Sequence, residues 1–396
     1  MAGTLRSSTA GRKCSAGQSV TRRLLLIGIG VCATLLLLEL GYRVYHLAIY
    51  GTPLWQGVDD LGRDPALEDR LNPIALDARL GWRSASNYRF DGQRRNLDGS
   101  TYTAHVSFTP DGFRLFGNLA TARRKVFVIG DSYTQAVQTS DGATYYALLG
   151  NDLDAEMFVY GAGGFGTLQE YMILDQYLDT IRPDLIVWQY CSNDFVNNSF
   201  ELERASYANN NRLVRPYLQD DGSIMYALPT PDRLGLRTFW GLRSRVVYAL
   251  LTRWDSFETA RHETDTVETA IERLGFEHPG FRRAVDTTSQ IMGMVRQRAG
   301  GLPILAFSCD DGGLYTQAFE RISSANGVQF QPDVARAVTR AEAAGESVRT
   351  VDFHWNERGH SLIAAALARY ARLGPQVDER GQLLSVTDRA GGPWPG

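Results

Sequence analysis

From Lys125 onward the chain alternates short apolar runs with longer stretches of helical spacing. Val126–Ile129, Met157–Tyr160, Leu185–Trp188 and Ile304–Phe307 are continuous apolar blocks, the pattern of strands covered on both faces of a parallel sheet. Val348 to Val351 reads as a further strand. Helical spacing lies between them, around Tyr145–Leu149, Leu168–Leu178, Phe281–Arg298 and Gly359–Tyr370. For the last, Asn356 stands as N-cap, Glu357 just inside and Gly374 past the end. Such alternation predicts an α/β domain over 121–373 built on a doubly wound parallel sheet. Two regions depart from the rhythm. Residues 50–120 are polar and mixed, with the alternations Tyr88-Arg89-Phe90 and Tyr102 to Val106, and predict a small β-rich piece. Residues 195–278 are polar and Asn-rich, then aromatic and basic. They read as an insertion after the third strand, a lid or substrate-binding flap. Residues 374–396 form a tail.

One apolar run has a different character. Leu24 to Leu38 carries no charge and is extended by Leu40 and a Tyr-rich segment to Tyr50. Alone it is short for a bilayer core of ~30 Å, and it spans only if its ends contribute, Glu39 and Arg43 reaching toward the far interface. Arg6, Arg12, Lys13, Arg22 and Arg23 precede it, whereas the first flank after it offers only Arg43. The asymmetry predicts a transmembrane signal anchor over 24–49, with residues 1–23 cytoplasmic and the remainder periplasmic or extracellular. No Ala-x-Ala-like site follows the run, so an uncleaved anchor is favoured over a signal peptide.

Composition narrows the partners. The formal charge of −3 over 396 residues is small, which excludes nucleic acid as the main partner. Four cysteines are too few and too scattered for a disulfide scaffold or a CxxC metal site. Cys191 and Cys309 both end predicted strands. A disulfide between them would be sterically allowed in an oxidising compartment, but unpaired thiols are the favoured expectation. No cofactor or metal motif is evident.

In open parallel sheets, ligands bind outside the carboxyl ends of the strands. Gly130-Asp131-Ser132-Tyr133-Thr134 follows the first strand and Gly161-Ala162-Gly163-Gly164-Phe165-Gly166-Thr167 the second. Ser192-Asn193-Asp194 follows the third and Asp352-Phe353-His354-Trp355-Asn356 the last. A serine hydroxyl needs an adjacent base at neutral pH; histidine suits that task, and a carboxylate fixes its tautomer. Two-residue spacing in an extended segment would project Asp352 and His354 to the same side. Ser132, His354 and Asp352 are therefore the expected triad. The oxyanion donors would be the Ser132 and Gly164 backbone N–H groups and the Asn193 amide. Asp131 reads as structural. His360, the competing base, reads as packing inside the final helix.

These blocks resemble the SGNH, or GDSL-type, hydrolase superfamily. Gly-Asp-Ser-Tyr-Thr looks like its serine block, Gly164 falls where its oxyanion glycine is expected, and Asn193 matches its asparagine. Asp352, His354 and Asn356-x-x-Gly359-His360 match its closing block. The resemblance covers about 121–373 and implies a flavodoxin-like sheet and a serine esterase acting on acetyl esters of envelope glycans or lipids. Asp and His stand two apart here, rather than the commoner three. That variant is similar to alginate O-acetyltransferase-like proteins and implies an alternative, O-acyl transfer to a polysaccharide. The third block has Ser192 directly before Asn193, where the common form is Gly-x-Asn-Asp. Two further readings compete. Gly161-x-Gly163-x-x-Gly166 satisfies a dinucleotide fingerprint, but Ile186 stands about where its acidic residue belongs. A non-catalytic carbohydrate-binding scaffold leaves an intact triad unexplained.

Overall fold

The computed structural model describes residues 14–50, 54–55, 73–229, 240, 243–261 and 266–373. Its centre is a six-stranded sheet of β5 (Leu115–Phe116), β6 (Lys125–Gly130), β7 (Glu156–Gly161), β8 (Leu185–Tyr190), β11 (Ile304–Ser308) and β12 (Gln329–Phe330), ordered β12-β11-β8-β6-β7-β5. All neighbours are parallel except β5 on β7. The four central strands are those the apolar runs predict; β5 and β12 are too short to leave a signal. After β6 the chain passes to β7 on one side and returns to β8 on the other. The strand order therefore reverses at β6, the place where such sheets form a binding crevice.

Period-two alternation sorts each strand between two cores. Phe127, Ile129, Phe158, Tyr160, Ile186 and Trp188 face one cluster, roofed by helices 167–181, 279–299 and 313–325. Val126, Val128, Val159, Val187, Leu305 and Phe307 face the other, beneath helices 145–153, 333–343 and 357–373. The final helix begins as expected: Asn356 Oδ1 accepts the Gly359 N–H at 3.1 Å. Gly374 lies outside the described residues.

Two antiparallel hairpins precede the sheet: β1 (Ile74–Asp77) with β2 (Gly81–Ser84), and β3 (Arg89–Arg95) with β4 (Thr101–Ser107). Between β8 and helix 279–299 lie short helices, the hairpin β9 (Arg215–Leu218) and β10 (Ile224–Ala227), and a 17-residue helix, Arg245–Arg261. At the other end of the chain, helix α1 (Cys14–Tyr50) contains Thr21–Tyr45, 25 residues of hydropathy 2.4, long and apolar enough to cross a membrane.

Two expectations need correction. Val348–Val351 is not a sheet strand. Its backbone makes isolated bridges only, Thr350 to Asn96 and Arg349 to Trp355, because β3 rather than the main sheet holds it. Leu97 N–H donates to Arg349 O at 2.9 Å, and Val351 N–H to Arg95 O at 3.2 Å. Cys191 and Cys309 are joined as a disulfide, with Cα atoms 5.1 Å apart. Parallel pairing of β8 with β11 brings the two strand ends side by side, Tyr190 opposite Ser308. The bond closes a loop of 118 residues. Replacing both cysteines by serine is expected to cost about 2–4 kcal/mol, read as a lower thermal midpoint than that of the parent.

Candidate active site

Three adjacent strands deliver three loops to one rim. Gly130 pairs with Gly161, and Ile129 with Trp188, so the segments after β6, β7 and β8 leave the sheet at one level. Ser132 opens the one-turn helix 132–135 behind β6, with Asp131 as its cap, Oδ1 accepting the Tyr133 N–H at 3.0 Å. Gly161 is needed there: a Cβ would sit 2.4 Å from Gln135 N and 2.7 Å from Asp131 O.

The closing block reaches the same rim by a turn. Phe353 N–H donates to Thr350 O, Thr350 N–H donates to His354 O, and Phe353 adopts φ +66°. The segment is therefore not extended. The left-handed residue between Asp352 and His354, a conformation costing a non-glycine about 1–2 kcal/mol, swings both side chains toward Ser132 and leaves the Phe353 ring exposed. His354 Nε2 lies 2.8 Å from Ser132 Oγ, and its Nδ1 lies 3.3 Å from Asp352 Oδ2. The second contact is close but lacks a well-directed hydrogen bond, and such contacts tighten when substrate is bound.

Electrostatics suit proton transfer. Burial alone would raise the Asp352 carboxyl, but His354, the Thr350 hydroxyl and the Gln138 amide together hold it well below the usual range. Burial pushes the His354 imidazole down, and Asp352 more than reverses this, leaving it above its ordinary value. Beneath the serine, Asp131, Glu170 and Asp194 are fully buried together. Desolvation first, then the repulsion of neighbouring carboxylates, pushes Glu170 and Asp194 well above the usual carboxylate range. Asp131 is raised too, by burial first.

Several supporting residues gave no sequence signal, because each acts through a neighbour distant in the chain. Gln138 is held over Asp352 by the second hairpin and by Arg114 beyond it: Tyr102 donates to Gln138 O at 2.6 Å, Arg94 to Val137 O at 3.3 Å, and Arg114 to Ala136 O and Thr139 O. The Gly161–Gly164 turn is fixed group by group. Ser84 Oγ donates to Gly161 O at 2.7 Å, Gln135 Oε1 accepts Gly163 N–H at 3.0 Å, Trp82 Nε1 donates to Gly163 O at 2.9 Å, and Arg215 Nη2 to Gly164 O at 2.6 Å. Among the described residues no acceptor meets the Gly164 N–H. Gly164 itself is obligatory, with φ +72° and a Cβ position only 2.1 Å from Asn211 Nδ2. Asn193 is half-buried at the start of helix 193–197 and donates to Asn197 Oδ1 at 3.0 Å.

His360 is elsewhere. It is buried, stacks on Tyr145 and accepts the Tyr145 N–H on Nδ1 at 3.1 Å. Burial first, then the Arg114 and His354 charges, pull its pKa down to about 3. It therefore stays neutral when folded but takes up a proton near pH 6.5 when unfolded, so stability falls as pH drops from 6.5 toward 3. His360→Asn, which retains an acceptor, should flatten that acid limb in thermal melts; an unchanged limb would contradict this account. Trp355 is core, packed between Tyr133, Phe307 and His360. Among the described residues, the metal-type grouping is Cys191, Cys309 and Asp310, and the disulfide consumes both sulfurs.

No family model and no curated protein matches the chain. Solved structures that match include a gut microbial diltiazem-metabolizing enzyme, 9% identical, covering 63% of this chain and 47% of that one at a TM-score of 0.34. Another is a catalytic mutant of the acetylxylan esterase Axe2 from Geobacillus stearothermophilus, 12% identical, covering 63% and 94% at 0.35. A third is the lipase/acylhydrolase from Enterococcus faecalis, 12% identical, covering 63% and 95% at 0.35. The chain thus spans about half the length of the first and nearly all of the other two. Scores this low decide neither lineage nor chemistry.

Proposed function

We propose that the protein is a membrane-anchored serine esterase of the SGNH type, acting through an acyl-enzyme on Ser132. One observation carries the reading: the Ser132 hydroxyl is 2.8 Å from His354 Nε2, with the Asp352 carboxylate on the opposite ring nitrogen. In this mechanism His354 takes the Ser132 proton as Oγ attacks the ester carbonyl. The tetrahedral oxyanion is held by the Ser132 and Gly164 N–H groups and the Asn193 amide. His354 then protonates the departing alkoxide. Water activated by the same imidazole releases the acid and restores the serine. The substrate class is an acetyl ester of an envelope glycan or lipid. The hydropathy of Thr21–Tyr45 and the basic leader support a single-pass topology with the catalytic domain outside the cytoplasm. The buried disulfide fits that oxidising compartment. If a sugar hydroxyl replaces water in the second half-reaction, the same site is an O-acyltransferase. Turnover of acetyl esters with and without a carbohydrate acceptor, in wild type and Ser132→Ala, tests both halves. Serine-independent turnover would refute the reading.

Trp82 offers a finer test. In a trans peptide the Gly163 carbonyl and Gly164 N–H point in opposite directions, so the indole bond to one aims the other. Trp82→Phe orphans a buried carbonyl at a cost of about 1–3 kcal/mol. It is expected to lower kcat by about tenfold to a hundredfold with KM little changed. A matching rise in KM would point to a substrate contact instead.

A further inference from the structure

Six tryptophans fall among the described residues. Trp82, Trp188 and Trp355 are fully buried, whereas Trp55, Trp240 and Trp254 are 85%, 54% and 58% exposed. Trp55 and Trp240 belong to segments tied to the outer end of the apolar helix α1, and Trp254 lies on the helix that starts there. There Glu39, inside the Thr21–Tyr45 span, reaches across to the start of helix 245–261. Its carboxylate accepts Ser244 Oγ at 2.7 Å, Arg245 N–H at 3.0 Å and Val246 N–H at 3.1 Å. The two backbone N–H groups are donors a helix start leaves unpaired, and a carboxylate there also complements the helix dipole. Arg43, paired with Glu39 at 2.6 Å, ties in Leu54 O and Arg243 O. Helix 245–261 is thus pinned at one end to the membrane-crossing helix. Leu250, Trp254 and Phe257 stand at i, i+4 and i+7 on one of its faces, 65%, 58% and 57% exposed. Arg253 and Arg261 flank them, exposed and cationic.

We propose that this stripe, with Trp55 and Trp240, lies in the outer headgroup–acyl boundary of the bilayer that α1 crosses, and so fixes the catalytic domain's orientation to the membrane. The proposal rests on the anchor reading and not on the esterase chemistry. Amphipathic rings favour the interface, and arginines beside them reach anionic headgroups. A lone spanning helix would leave the domain free to swing; a second, lateral attachment does not. Continuity with the anchor is what names lipid as the occupant, since the helix start cannot leave the membrane surface while Glu39 holds it.

The test uses the full chain in phosphatidylethanolamine–phosphatidylglycerol vesicles, with Cys14→Ser and Cys32→Ser and one new thiol carrying an environment-sensitive fluorophore. Trp254→Cys reports the stripe, Thr252→Cys the face that helical spacing puts opposite, and Leu35→Cys the anchor. The label at 254 is expected to be blue-shifted, several-fold less quenched by iodide than the label at 252, and quenched by lipids spin-labelled near the headgroup. Equal iodide access at 254 and 252, with the label at 35 protected, would overturn the proposal and spare the anchor. Iodide protection at 254 without lipid quenching would assign the stripe to a protein partner and also overturn it. An iodide-accessible label at 35 would remove the anchor and the proposal together.

Discussion

Ser132→Ala is expected to lower ester turnover by roughly four to six orders of magnitude while leaving the fold intact. The size follows from the mechanism. Without Oγ no acyl-enzyme forms, and the remaining catalysis is what the oxyanion donors give to direct attack by water, typically ~10³–10⁴-fold over solution. Ser132 is half-buried at the start of a one-turn helix, and its hydroxyl has His354 Nε2 as partner. Its removal therefore orphans no deeply buried group, and the thermal midpoint should stay close to that of the parent. Two readouts separate this from a damaged protein. A fluorophosphonate probe should label the parent at Ser132 and fail on the variant, and circular dichroism should be unchanged. Turnover within about tenfold of the parent by a folded Ser132→Ala would mean that the 2.8 Å contact is structural and the nucleophile lies elsewhere.

The parts of this site that were legible from sequence are those whose chemistry is carried by residue type next to a strand end. Ser132 follows a strand buried from Val126 to Gly130, the loop containing Gly164 follows the next, and Asn193 follows the third. Register then brings these segments to one rim because parallel strands in a doubly wound sheet end at a common level. The closing block was legible as chemistry but not as structure. Asp352 and His354 were expected to share a side because the segment was extended, yet a turn with Phe353 at positive φ brings them together. Nothing in the tetrapeptide Val348-Arg349-Thr350-Val351 announces that its partner will be the end of β3 rather than the sheet. The supports were invisible for a related reason. Trp82, Gln138 and Arg215 are ordinary residues whose roles depend on contacts across 81, 214 and 51 positions. The disulfide is not legible in the sequence because its geometry requires β8 and β11 to be neighbours, and strand order across a crossover is set by tertiary packing.

Asp352→Ala is expected to reduce kcat/KM by roughly four orders of magnitude and, more tellingly, to move the acid limb of its pH profile downward. The base must be neutral to accept the serine proton, so activity rises with pH through the His354 titration. In the parent, burial lowers that titration but Asp352 raises it further, for a net position above 6.5. Removing the carboxylate leaves burial in command, so His354 becomes neutral at lower pH and the limb shifts in that direction. The rate falls nonetheless, because the imidazolium formed during attack has lost its counter-charge and Nδ1 its fixed partner. A lower maximum reached at lower pH is the signature of a carboxylate that stabilises charge. An exposed acid that merely decorates the turn would leave both height and limb in place. Gln138 and Thr350 make the distinction sharper. Both donate to Asp352 in the parent, so Gln138→Ala should weaken the carboxylate's hold and displace the same limb in the same direction by a smaller amount. If Gln138→Ala left the limb where the parent has it, Gln138 would not be acting through Asp352.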